Sequence, residues 1–146
     1  MASPKSIFVT WLAILHRLTT KDRMLSWGMQ IDGVCCLCDA SSETLDHIFF
    51  QCAYSSVIWH KILGLLKIGR SSLTFDQEVM QEAATCRHPT QQLLGMCFSQ
   101  SVYTIWLQRN KKNFTGDCER PEVVYRNIIF KVACRCNDVV KAKLII

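Results

Sequence analysis

Long apolar runs are missing from this chain. None reaches the roughly 18 residues that a membrane helix needs without meeting a charged or strongly polar side chain. The best of them, Ile7 to Leu15, follows Met-Ala-Ser-Pro-Lys and so has the look of a weak signal peptide. Trp11, His16 and Arg17 sit inside it or at its end, however, and the helical period runs on past it. A core helix is the better reading, with no secretion and no membrane partner. Charge is sparse as well: 20% of residues are charged and 49% hydrophobic, which excludes a disordered tail. Internal repeats, linkers and low-complexity segments are absent, as are a Gly-rich phosphate loop and a Ser-based nucleophile motif. Asp22, Asp32 and Asp39 are scattered through turns, without the spacing of paired metal carboxylates. His16 and His60 read as helix-surface or packed residues, and nothing supplies Cys36 with a partner base. An enzyme is therefore the weakest functional class.

What the chain does have is cysteine, nine in 146 residues. An odd number would leave one thiol unpaired under oxidising conditions, and three fall together at 35, 36 and 38. That spacing suits a metal better than a disulfide framework. It also suits a reducing, intracellular setting, the nucleus or the cytoplasm. Cys86, Cys97, Cys134 and Cys136 lie among apolar neighbours and read as buried small hydrophobes, while Cys118 falls in a loop.

The length fits one domain, residues 1–146, able to bury a hydrophobic core. The pattern predicts a small, mainly α fold organised around one structural zinc site. Residues 4–60 would form the zinc-binding core and residues 89–143 a helical C-terminal part with a basic bias. Pro4 is placed to start a helix, with Ser6 as a candidate cap. Phe8, Trp11, Leu12, Leu15 and Leu18 then mark the buried side. Thr19 or Thr20 caps a shorter helix holding Met24, Leu25 and Trp27, and Gly28 and Gly33 bracket the turn leading to Cys35. Glu43 and Asp46 favour a helix start, followed by one helix, or two joined near Cys52, through Trp59 and Leu66. Phe75, Val79 and Met80 suggest a short helix broken before Pro89. A longer one carries Leu94, Phe98, Val102, Ile105 and Trp106 on its apolar side and stops at Gly116. Glu119–Pro121 opens the last helix, with Val124, Ile128, Val132 and Val139 in one stripe.

The central chemical pattern is Cys35-x2-Cys38-x8-His47-x4-Cys52. A C-x2-C pair lets two thiolates converge on one ion from a tight turn. A histidine and a cysteine at the second spacing need a turn or helix end to aim both inward. Three sulfurs and one nitrogen make the tetrahedral set that zinc accepts in closed structural sites. A catalytic zinc keeps one position open, so this set points to structure rather than catalysis. Cys36 competes with Cys35, but the x2 spacing favours Cys35; Glu43 and Asp46 are candidate acceptors for the ring proton of His47. The bland alternative is four unrelated residues in a cysteine-rich chain, with His47 at the surface.

These residues and their neighbours resemble the zinc-binding domain that follows the polymerase domain in plant LINE-type (non-LTR) reverse transcriptases. The likeness runs through Pro4-Lys5-Ser6-Ile7-Phe8, Trp11-Leu12-Ala13 and Arg17-Leu18-Thr19-Thr20-Lys21-Asp22-Arg23. It continues through Trp27-Gly28, Cys35-Cys36-Leu37-Cys38, Glu43-Thr44, Asp46-His47-Ile48-Phe49-Phe50 and Gln51-Cys52, with Trp59 beyond. Trp106, Arg109, Asn110 and Phe114 look like a downstream Trp-x-x-Arg-Asn segment of such elements. Residues 4–60 carry nearly all of the specificity. The resemblance implies a zinc-binding accessory module handling element RNA or target DNA, with Cys35, Cys38, His47 and Cys52 as ligands of one structural Zn2+. It transfers no polymerase activity, and a remnant gene, a truncated copy and a host-adopted module all remain open readings.

The net charge of +5 is uneven: residues 109–143 hold nine Lys/Arg against four Asp/Glu, and the rest eight of each. Arg109, Lys111, Lys112, Arg126, Lys131 and Arg135 are thus the candidate phosphate contacts, against the alternative of a solvated helix face. Trp27, Trp59 and Trp106 could stack on bases, but their apolar spacing favours core packing. A protein partner or self-association, motivated by the apolar composition, is the competing function.

Overall fold

A computed structural model describes residues 2–84 and 87–145, so the reading of Cys86 as buried lies outside the described residues. The described chain is helical, with an isolated bridge between Val34 and Ser42 as its one piece of extended pairing. Seven α-helices are described: α1 (Pro4–Ile14), α2 (Lys21–Ser26), α3 (Ala53–Leu65), α4 (Phe75–Ala84), α5 (Pro89–Thr115), α6 (Pro121–Ala133) and α7 (Asp138–Ile145). A π-helical turn, His47–Gln51, leads into α3. Proline stands at the first helical position of α1, α5 and α6, where its missing N–H costs nothing. Gly116 ends α5 with φ +77°, the left-handed value that glycine adopts without strain.

Helix α5 is the central element, packed against α1, α3, α4 and α6. Its predicted apolar side is the buried one: Leu94, Phe98, Val102, Ile105 and Trp106. Phe98 joins an aromatic cluster drawn from four elements, stacked on Phe50 at 5.9 Å and edge-on to Trp59 at 6.0 Å, with Phe75 alongside. Such ring pairs add to the hydrophobic burial itself. Glu78 of α4 is buried beneath this cluster and accepts hydrogen bonds from Trp59 Nε1 (3.0 Å), Leu73 N (3.0 Å) and Arg70 (2.8 and 2.7 Å). Burial alone would push its carboxyl up, but these donors outweigh it and hold the group below the ordinary glutamate range.

Helix α1 turns a different face inward from the one expected, although of the expected residues Leu12 is half-buried against the core and Leu18, just past the helix, is buried. Its buried residues are Ser6, Thr10 and Ala13, which lie against α5, while Phe8, Trp11 and Leu15 face out, Trp11 being 52% exposed. Both faces share the helical period, so spacing alone does not choose between them. Small side chains permit close approach of the two helices, and Thr10 Oγ1 lies 3.5 Å from the Ser99 carbonyl. The cap is Ser3, whose Oγ accepts from Ser6 N, rather than Ser6. The short helix α2 buries no side chain, so Met24, Leu25 and Trp27 are not core residues; Trp27 is 54% exposed beneath the Arg23 guanidinium.

The last helix is really two. Val124, Ile128 and Val132 form the buried stripe of α6, but α6 ends at Ala133 and Val139 is 69% exposed on α7. Asn137 supplies the restart, its Oδ1 accepting from Val140 N at 3.0 Å. Cys97 is fully buried as expected; Cys136 is half-buried and Cys134, at the C-cap of α6, is exposed.

Candidate metal centre

The loop between residues 33 and 43 is closed by backbone hydrogen bonds. Cys35 N donates to Ser41 O (2.7 Å), Asp39 N to Cys35 O (2.8 Å), and Glu43 N to Gly33 O (2.9 Å). Asp39 takes a left-handed φ of +53°, a conformation that aspartate tolerates better than most residues and that folds the loop back on itself. The fold of this knuckle sets Cys35 and Cys38 side by side.

The second pair is brought together by the π-helical turn. In an α-helix, residues five apart lie about 140° from one another around the axis, on different faces. A π-turn instead closes an i→i+5 hydrogen bond, here Cys52 N to His47 O at 2.7 Å, and so returns the two positions to the same side. Thr44 Oγ1 caps the start by accepting from His47 N at 3.1 Å. Cys52 leaves the turn with ψ 137°, so the helical path is interrupted before α3 begins.

The four donor atoms, three Sγ and one imidazole nitrogen, lie within 4.8 Å of one another. Cys35 Sγ is 3.9 Å from Cys52 Sγ, and Cys38 Sγ is 3.3 Å from His47 Nε2. Tetrahedral zinc with ordinary bond lengths sets S···S near ~3.8 Å and S···N near ~3.6 Å. The donor set and its spread therefore fit one zinc ion. Cys35 and Cys52 are fully buried, His47 is nearly so, and Cys38 is half-buried. The hydrogen bond from Cys52 pulls Cys35 down to about 5, and the same contact pushes Cys52 up. Among the described residues no further carboxylate, histidine or cysteine joins the four.

Cys36 points elsewhere, with its Sγ 3.7 Å from the Arg109 carbonyl, and burial pushes its thiol up. The expected carboxylate partners of His47 are used differently. Asp46 Oδ1 accepts from Phe75 N at 2.7 Å. Glu43, fully buried, accepts from Lys21 N at 2.9 Å, capping α2 from a distance, and from Arg109.

That last contact corrects the reading of Arg109 as a phosphate contact. Arg109 is 5% exposed; its Nη2 donates to Glu43 Oε1 at 2.7 Å and to Thr19 O at 3.1 Å, and its Nε lies 3.2 Å from both Glu43 oxygens. A buried glutamate needs a buried cation, and α5 supplies it. The pair fastens the cysteine loop and the start of α2 to the long helix. The other basic candidates are accessible: Lys111, Arg126, Lys131 and Arg135 are exposed and Lys112 is half-buried. Lys131 and Arg135 line a hollow of about 560 Å³ together with Lys5, Tyr103 and Phe130, of which sequence patterning singled out none. Arg126 lines a neighbouring hollow of about 490 Å³ that shares Phe130. Trp59 and Trp106 are core residues, and Trp27 is the exposed one. His16 meets Asp76 at 3.2 Å on the surface, and His60 Nδ1 lies 2.8 Å from Ser56 O. No helix among the described residues is long and apolar enough to cross a membrane.

Residues 1–59 match a protein-family model described as zinc-binding in reverse transcriptase. The matched stretch contains all four clustered donors and ends at Trp59 in α3. No curated protein and no solved structure matches the chain.

Proposed function

We propose that this chain is a zinc-organised accessory module of the plant LINE-type retroelement kind, which catalyses no reaction itself. One structural Zn2+ would be held by Cys35, Cys38, His47 and Cys52. RNA or DNA would be contacted through the exposed cations of the C-terminal part. The observation that carries the reading is the convergence of four donors from two separate turns, inside a stretch similar to a zinc-binding domain in reverse transcriptase. The proposed ion supplies charge compensation and cross-linking. The chain's own part is to present three sulfurs and one ring nitrogen from rigid turns, to hold them against the core, and to leave the exposed cations of the C-terminal part accessible. The nucleic-acid half of the reading is supported by Lys111, Arg126, Lys131 and Arg135, all exposed in the basic third of the chain. The free cysteines suit a reducing compartment, nucleus or cytoplasm.

The test is removal of the metal. Purified chain is titrated with a strong chelator while released zinc, far-UV circular dichroism and thiol reactivity are followed. Release of one zinc per chain, with three additional thiols becoming reactive and a fall in thermal stability, is the expected result. A natively folded chain that contains no metal and ignores the chelator would overturn the reading.

A second reading has its own observation. Ile7, Phe8, Trp11, Ile14 and Leu15 leave an apolar face of α1 open to solvent, as expected of a host-adopted module that docks on a protein or on its own copy. Concentration-dependent scattering, with and without Trp11→Glu, separates the two. Self-association abolished by the substitution favours the second reading for that face.

A further inference from the structure

Phe130 stands 62% exposed on α6 and lines two hollows at once. On one side of it lies the hollow of about 560 Å³ walled by α1, α5 and α6. Lys5, Lys131 and Arg135 line that hollow, Tyr103 joins Phe130 in its wall, and no carboxylate is among its lining residues. On the other side lies the smaller hollow, about 490 Å³, with Arg126 one helical turn before Phe130. The N-terminal end of α1, at Ser3 and Pro4, also faces the larger hollow and adds its partial positive charge. Cations therefore flank an aromatic ridge on both sides.

Such a surface discriminates among polyanions by geometry. In a duplex the base faces are covered by one another, and only edges and phosphates are presented. An exposed phenyl ring then has nothing to stack on. In a single strand the base faces are free, and cations beside aromatic platforms take both parts of each nucleotide. A hollow of this volume falls in the range that encloses small-molecule-sized groups.

We infer that the groove around Phe130 is a binding site for single-stranded nucleic acid. A base stacks on Phe130, with Tyr103 beside it, and the adjoining phosphates lie against Lys5, Lys131 and Arg135 or, across the ridge, Arg126. This rests on the nucleic-acid half of the proposed function and assigns it a place and a strand preference. Lys111 and Lys112, at the far end of α5, are outside the groove.

The experiment uses the full zinc-loaded chain, with labelled oligo(U) and oligo(dT) of about 12 nucleotides, a length within the ~4–16 nucleotide sites of such surfaces. A mixed-sequence duplex of the same length is the comparison, and anisotropy is read across a salt series. The strands are expected to bind more tightly than the duplex. Phe130→Ala should weaken strand binding by about 5- to 150-fold while Phe130→Tyr restores it. Lys131→Ala combined with Arg135→Ala should flatten the slope of log K against log salt by about 1.4. Arg17→Ala, an exposed cation outside the groove, serves as the control and should change neither. Strand binding that survives Phe130→Ala unchanged, or a duplex that binds more tightly than the strands, overturns the assignment. Zinc content is measured on every sample, so the two claims fail separately. Zinc-loaded chain without Phe130 dependence refutes the groove, and zinc-free folded chain with it refutes the metal site alone.

Discussion

Replacing Arg109 with methionine should be among the most damaging single changes in this chain, although Arg109 is not one of the clustered donors. Methionine keeps much of the stem that packs over Trp106, where the guanidinium lies 4.7 Å from the ring centroid. It removes the three contacts of 2.7–3.2 Å to Glu43 and the one to Thr19 O. Glu43 would then be a fully buried carboxylate left with one backbone N–H, that of Lys21. Stranding a buried charge in this way costs about 3–5 kcal/mol. For a chain of this size that corresponds to a fall of roughly 10–15 °C in melting temperature. Glu43→Gln alone should also destabilise. The double variant Glu43→Gln/Arg109→Met should recover a large part of the loss, because no unpaired charge remains. The assay is thermal and urea unfolding at saturating zinc, arranged as a double-mutant cycle. A melting temperature lowered by less than about 3 °C in Arg109→Met, or strictly additive losses in the double variant, would refute this account of the pair.

Other changes follow from the same geometry. Cys36→Ser should leave zinc stoichiometry unchanged whereas Cys35→Ser or Cys52→Ser should lower it, which metal analysis of the purified variants checks. Glu82 is held up at about 7, chiefly by burial and then by the Glu78 charge, and its Oε1 has no hydrogen-bond partner. Its folded value exceeds its unfolded one, so the folded state takes up the proton and stability drains away as pH rises from about 4.5 to about 7. Glu82→Gln should thus gain up to about 3 kcal/mol at pH 8 and almost nothing near pH 4, read from urea midpoints. Gly116→Ala forces a side chain into φ +77° and should cost about 1 kcal/mol without altering zinc content.

Much of this molecule was legible in advance because its signals are local. The two pairs of donors announce themselves by spacing, and Pro121 and Gly116 punctuate helices by chemistry that needs no neighbour. The stripe of α5 is legible since its apolar residues are wide and continuous. What spacing could not supply is the choice between competing faces and partners. On α1, Ser6-Thr10-Ala13 and Phe8-Trp11-Leu15 are both helical rows, and close packing against α5 selects the smaller one. The break after Ala133 preserves the valine spacing, so only the cap by Asn137 betrays it. Arg109 sits in a run of basic residues and looks like its neighbours. Its role depends on Glu43, 66 residues earlier, which no local pattern connects to it.

The measurement closest to the heart of the account is X-ray absorption at the zinc edge on the purified, folded chain. One zinc per chain, with a first shell of three sulfurs near ~2.3 Å and one nitrogen near ~2.0 Å, is the predicted result. A shell dominated by oxygen, or no zinc in a chain that is nevertheless folded, would contradict it.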